Sequence, residues 1–431
     1  MKRLKIYMLG TLLLATFAFP CGALAATVNY TLRAAPSTVA MPDGAVVPVW
    51  GFALVSRDGV AGPDLVTVPG PVLEARAGDT LNVTVNVDPL LTAPVSLLIP
   101  GQRYTPAPAA SGGRMSSFMA EATSAAPVTY SFAGLRVGSY LYESGSTPAV
   151  QIPMGFYGAL VVRPADYDPA VPATWHAYTA TTDNLYDTEA TVVVSELDPA
   201  LNAAVSAAPT TPYSTITSAP KYFLVNGRAY PQKLGTTTDI TLYIGKNNLL
   251  RILNAGARSY TLSIPATPLS LMAADGSLLP YRKSATTVDL QAGRTYDAMV
   301  TPATISFSPV FERRLGLTNG QVMGGATPAA GGMLAFVGAY PDGQDCSPLK
   351  GDVTGDGKID ASDVLAVLRM YMGIATAYDG NKHLADVSPL SANGYPCGEY
   401  KVLTSTPAVP AAVDLTDVLL ILRKAAGMNP Y

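Results

Sequence analysis

Thr80-Leu81-Asn82-Val83-Thr84-Val85-Asn86 alternates apolar and polar side chains with period two. It follows the turn signal Ala77-Gly78-Asp79, so the spacing predicts a β-strand with one buried face. Thr129-Tyr130-Ser131-Phe132 and Gly158-Ala159-Leu160-Val161-Val162 read the same way, and together they predict a strand-built region over residues 26–163. Between them, residues 101–127 are rich in Ser, Gly, Pro and Ala and read as a long loop. The proline-containing stretch 164–175 reads as a linker. Residues 176–340 repeat the style. Ala190-Thr191-Val192-Val193-Val194-Ser195, Tyr222-Phe223-Leu224-Val225-Asn226-Gly227, Leu249-Leu250-Arg251-Ile252-Leu253-Asn254 and Tyr260-Thr261-Leu262-Ser263-Ile264 are strand candidates at β-sandwich spacing.

Composition agrees with this pattern and limits the chemistry. Hydrophobic residues make up 48% of the 431 and charged residues 14%, enough for several cores and unlike a disordered chain. The 38 glycines and 36 prolines suit short strands and turns rather than long helices. There are two histidines, His176 and His383, far apart in sequence. A centre built from several imidazoles, of the multi-copper, di-zinc or di-iron kind, is therefore excluded. The formal net charge of −3 gives no reason to expect nucleic-acid binding.

Residues 1–25 have the pattern of a cleaved signal peptide. Lys2, Arg3 and Lys5 precede a short apolar run, and Ala23-Leu24-Ala25 fits the small-x-small rule, making Ala26 the new N-terminus. The apolar run is too short for a transmembrane anchor and no later stretch is long enough to span, so a secreted, periplasmic or cell-surface location is expected. Cys21 leaves with the signal. The remaining pair, Cys346 and Cys397, most simply forms one disulfide, worth about 3–4 kcal/mol on the chain-entropy estimate, with two free thiols as the alternative.

After residue 345 the composition turns acidic. Asp352-Val353-Thr354-Gly355-Asp356-Gly357-Lys358-Ile359-Asp360-Ala361-Ser362-Asp363 has the spacing of a calcium-binding EF-hand loop. Asp352, Thr354, Asp356, Asp360 and Asp363 supply oxygens, Lys358 offers its carbonyl, and Gly357 permits the turn. Asp rather than Glu stands at the twelfth position. The following Val364–Gly373 segment predicts a helix with Val364, Val367, Leu368 and Tyr371 on one face. The pattern returns as Asp386-Val387-Ser388 and, after an interruption, as Val413-Asp414-Leu415-Thr416-Asp417 and a second apolar helix. Asp386, Ser388, Asp414 and Asp417 are the candidate ligands of a second ion.

Two resemblances follow. Pro69-Gly70-Pro71-Val72-Leu73-Glu74-Ala75-Arg76-Ala77-Gly78-Asp79-Thr80-Leu81, Gly138-Ser139-Tyr140-Leu141-Tyr142 and Gly155–Val162 resemble the first domain of multicopper oxidases. Phe223–Gly227, Arg251-Ile252-Leu253-Asn254-Ala255-Gly256, Ala274-Asp275-Gly276 and Gly331-Gly332-Met333 resemble their middle domain. The resemblance implies a mainly β protein of two cupredoxin-like Greek-key sandwiches, over 26–163 and 176–340. It also implies copper ligands at positions where this chain has Leu98 and Pro100, then Glu143 and Gly145, so no copper is expected. Residues 345–431, two loop–helix units, resemble a type I dockerin. That resemblance implies one to two calcium ions and a cohesin partner, read partly through Ala361, Ser362, Leu415 and Thr416.

The expected function is that of an exported, non-catalytic binding or structural protein with a calcium-folded docking module. The competing reading is a subunit of an oxidase or of an extracellular carbohydrate-active complex whose catalytic parts lie on another chain. The module could equally dock onto its own sandwich domains.

Overall fold

The computed structural model describes residues 25–104, 109–111, 114–230, 240–265, 267–304, 306–314 and 332–340. In the tail it describes 351–354, 359–372, 374, 385, 387, 413 and 415–426. Cys346, Cys397, Asp356, Lys358, Asp386, Ser388 and Asp414 lie outside the described residues, as do most of the leader and His383.

Among the described residues the first sandwich region has ten strands: β1 Thr27–Ala40, β2 Val46–Arg57, β3 Val60–Ala61, β4 Leu73–Arg76, β5 Thr80–Val87, β6 Ala109–Ser111, β7 Arg114–Ser117, β8 Val128–Phe132, β9 Gly138–Glu143 and β10 Tyr157–Arg163. One sheet runs β3-β2-β1-β5-β8 and the facing sheet β4-β10-β9. The period-two stretch that predicted a strand is β5, and its Leu81, Val83, Val85 and Val87 all face the core. Trp50, Phe52, Tyr142 and Phe156 fill the centre, with the Phe52 and Phe156 rings 4.8 Å apart. Residues 101–127 are not wholly loop, because β6 and β7 pair there. Their Ser, Ala and Gly composition lacks the apolar alternation that would have signalled strands.

Among the described residues the second sandwich has eleven strands: β11 Thr188–Leu197, β12 Tyr222–Val225, β13 Ile240–Tyr243, β14 Asn248–Asn254, β15 Tyr260–Ser263, β16 Leu269–Ala274, β17 Ser277–Ala285, β18 Thr287–Leu290, β19 Thr295–Val300, β20 Ser306–Glu312 and β21 Leu334–Tyr340. Its sheets run β12-β11-β14-β19-β16-β17 and β13-β21-β20-β15-β18. Each sandwich combines the same two parallel pairs. β1 lies parallel to β5 as β11 lies parallel to β14, and β4 to β10 as β13 to β21. The chain is therefore mainly β, with a duplicated topology.

Two short helices escaped the sequence reading, α1 Pro148–Met154 and α2 Pro199–Ala207. Asp198 caps α2, accepting from the Ala200 and Leu201 amides at 3.0 and 3.3 Å. The two sandwiches meet where β9 packs on β14 and β19. Glycine is required there: a Cβ on Gly138 would lie 2.5 Å from the Gly276 Cα, and one on Gly276 would lie 2.2 Å from the Tyr140 hydroxyl.

In the tail, α3 Ala361–Tyr371 and α4 Leu415–Ala425 pack on each other through Val367, Met370, Val418 and Ile421, with Val353 and Val387 from the segments before them. The buried face of α3 is Asp363, Ala366, Val367 and Met370. Tyr371, expected on the buried face, is exposed. Met370 reaches the core in its place, because α4 crosses the Ala366–Met370 side of the helix.

Candidate functional site

The two segments that carry copper ligands in the resembling family meet in this structure. Leu98 and Glu143 form an antiparallel bridge, with Leu98 N donating to Glu143 O at 2.7 Å and Glu143 N to Leu98 O at 2.8 Å. Pro100 is exposed at the start of the next turn. Gly145 is buried, and its carbonyl accepts from Phe118 N at 3.0 Å. Beneath the bridge lie three buried serines, Ser96, Ser117 and Ser146, whose hydroxyls stand 3.0–3.1 Å from one another. Ser144 Oγ donates to Gln151 Oε1 at 2.6 Å, and Gln151 Nε2 to Pro94 O at 2.8 Å. Met119 is buried in the adjoining core. Burial pushes the Glu143 carboxyl up to about 7.

This donor set is one carboxyl, several hydroxyls, an amide and a thioether. Copper centres are built on imidazole and thiolate, so the residues present do not fit one. His176, the histidine among the described residues, is buried at the entry to the second sandwich, beside Leu185. The serine cluster was not legible in the sequence, since its members are spread over residues 96–146.

A second polar assembly joins the sandwiches. Arg251 is fully buried and bonds to Glu189 at 3.1 Å, to Asp297 at 3.2 Å and to Ser139 Oγ at 3.0 Å. Ser139 Oγ and the Tyr178 hydroxyl each donate to Asp297 at 2.6 Å. Arg163 bridges Glu189 and Glu74, the latter at 2.6 Å, and donates to the Tyr186 hydroxyl at 2.7 Å. Burial alone would raise the Glu189 carboxyl, but Arg251 and Arg163 hold it below the ordinary range. Burial and the Asp297 charge push the Tyr178 phenol well up, so it stays a donor. The three carboxylates and two guanidiniums pair with one another across the two sandwiches, and the arrangement is a fastening between domains.

In the tail, Asp352 and Asp363 are buried. Asp363 accepts from Thr354 N at 2.8 Å, Thr354 Oγ1 at 3.0 Å and Asp360 N at 2.9 Å, the last completing a capping box. Asp360 accepts from Ser362 N and Oγ at 2.8 and 2.6 Å. In the second unit Asp417 takes the equivalent place, buried and accepting from Val387 N at 2.9 Å. Among the described residues no three His, Cys, Asp or Glu side chains converge as a metal-binding group. Ala361, Ser362, Leu415 and Thr416 are all exposed at helix starts. Leu415, Leu419 and Leu422 form an exposed apolar stripe along α4.

Residues 176–307 match the multicopper oxidase family. This region is a multicopper oxidase-like, cupredoxin-like domain. The copper-containing nitrite reductase of Neisseria meningitidis serogroup B is 29% identical over 147 residues, covering 34% of this chain and 33% of that protein. The match thus spans about a third of the length of the curated relatives. Among solved structures, the blue copper oxidase from Nitrosomonas europaea superposes with a TM-score of 0.54 at 16% identity, covering 72% of this chain and 85% of that one. The multicopper oxidase mgLAC gives 0.55 at 18%, covering 73% and 86%. These likenesses establish the fold. Among the described residues no helix is long and apolar enough to cross a membrane.

Proposed function

We propose that the protein is an exported, copper-free, multicopper oxidase-like component that binds or builds rather than catalyses. One observation carries this reading. The segments of Leu98 and Glu143 come together as in a ligand-bearing frame, but the side chains beneath them are serines and a buried thioether. A frame kept without imidazole or thiolate donors supports a scaffold role rather than copper chemistry.

The tail is proposed as a calcium-stabilised, dockerin-like module. On this reading Asp352, Thr354, Asp360 and Asp363 would turn their oxygens onto one ion at the start of α3, and Asp356 with the Lys358 carbonyl would complete the set. Bound calcium would neutralise these carboxylates and tie the loop to its helix. Asp386, Ser388, Asp414 and Asp417 would hold a second ion. A Cys346–Cys397 disulfide would staple the interruption between the units. The docking face is assigned to Leu415, Leu419 and Leu422 with Ala361, Ser362 and Thr416, toward a cohesin-like partner or the protein's own sandwiches.

The test is affinity capture from the exported proteins of the source, with calcium or with chelator. A partner held only with calcium, and lost with Leu419→Arg, is the expected result. Capture that ignores both calcium and Leu419 would contradict the docking assignment.

A further inference from the structure

We infer that removal of the leader creates a structural ion pair, in which the new α-ammonium of Ala26 docks on the buried carboxylate of Asp79. The inference rests on the proposed export of the chain and adds to it a structural consequence of cleavage at one particular bond. Ala26 N lies 2.8 Å from Asp79 Oδ1, and the Ala26 carbonyl accepts from Thr80 N at 2.9 Å. The next residue, Thr27, opens β1 in register with Thr80 on β5. Ala25 and Ala26 are both exposed, and Ala26 is held in place by its two hydrogen bonds and by the sheet that follows it.

Asp79 is 6% exposed, and its other oxygen accepts from Arg76 N at 3.1 Å. Among the described residues no cationic side chain forms a salt bridge with it. Among the described residues its hydrogen bonds come from the Ala26 and Arg76 amides, and a buried carboxylate without a hydrogen-bonded cation is costly. Cleavage after Ala25 turns one of those amides into an ammonium with three donors and a full charge. Cleavage one residue later would remove Ala26 itself. One residue earlier would place the charge on Ala25 and leave the nitrogen that meets Asp79 a neutral amide.

A cleft of about 520 Å³ opens beside this position and gives the ammonium room. Arg57, Arg76 and Arg163 line it and oppose an added cation, while Glu74 favours one and Tyr167 is neutral. Arg163 and Arg57 are already engaged with Glu74, at 2.6 and 3.6 Å. Asp79 is the carboxylate within hydrogen-bond distance of the new terminus. Its pairing raises the α-amino pKa above the ordinary 7.7–8.0. The added stability is therefore full below that range and lost as pH rises through the raised value.

Two measurements decide it. Sequencing the N-terminus of the exported protein should return Ala26 first, and any other residue would overturn the assignment of the bond. Full-length mature protein is then released from a removable fusion to begin either at Ala26 or at Gly-Ala26, each with and without Asp79→Asn. At pH 7 the Ala26 form should melt about 3–5 °C above the extended form. The gap should close at pH 10.5 and be absent in the Asp79→Asn pair. If all forms melt together while the exported chain still begins at Ala26, the ion pair is wrong and the export reading stands.

Discussion

Glu143 occupies a position where the resembling oxidases place a copper ligand, and burial pushes its carboxyl up to about 7. A carboxyl whose folded pKa lies above its unfolded value supports the fold below about pH 4.5, and that support is lost as pH rises toward and past 7. Glu143→Gln should therefore raise stability by about 2 kcal/mol at pH 8 and leave it unchanged near pH 4, read from urea midpoints at the two pH values. A variant less stable at pH 8 would mean that the carboxylate has a cationic or metal partner. The pairing of Glu143 with Leu98 was legible only through the family resemblance, because nothing local in either segment marks it. The serines under it were not legible at all. Small hydroxyl side chains in a Ser- and Gly-rich stretch read as loop, and their mutual hydrogen bonds depend on three segments converging.

At the scale of elements, the segments singled out in the sequence fall on β5, β8, β10, β11, β12, β14 and β15, whereas β1 and β2 bury a face and were not singled out. β5 and β14 announce themselves by alternation or by a continuous apolar run, and both lie inside their sheets. α1 and α2 were missed because each is short and proline-led, with its signal confined to the first turn. α3 was legible from its apolar spacing, but it begins at Ala361 rather than Val364, and the face was misjudged by one step, since periodicity alone cannot say which side a second helix will cover. An isolated helix of about 12 residues or fewer is marginal in water, so α3 depends on its loop and on α4. Chelation should release the tail to protease while residues 26–340 stay resistant, with fragments identified by mass spectrometry. Asp363→Ala should do the same even in calcium, because it removes both the capping box and the Thr354 contacts. A tail equally protected in chelator would contradict calcium as its organising ion.

At the scale of the whole molecule, the Glu74–Arg163–Glu189–Arg251–Asp297 chain fastens two sandwiches that each possess a complete core. Arg251 was legible as part of a strand motif and not as the centre of a network, since its partners lie 46–112 positions away. Arg251→Ala would strand Asp297 in the interface and should cost about 3–5 kcal/mol. The two sandwiches should unfold in one calorimetric transition in the native protein and in two in the variant. A single transition at unchanged temperature would assign the fastening to the Gly138–Gly276 contact instead. In the proposed function this frame has exchanged copper for a structural role. That exchange is tested most directly by titrating the intact exported protein with copper(II) and, separately, with calcium, following metal content after dialysis and the copper by electron paramagnetic resonance. Retained calcium, and no retained copper with a blue or protein-ligated signal, is the predicted result. Copper held in stoichiometric amount with such a signal, and turning over phenols or nitrite, would contradict the account.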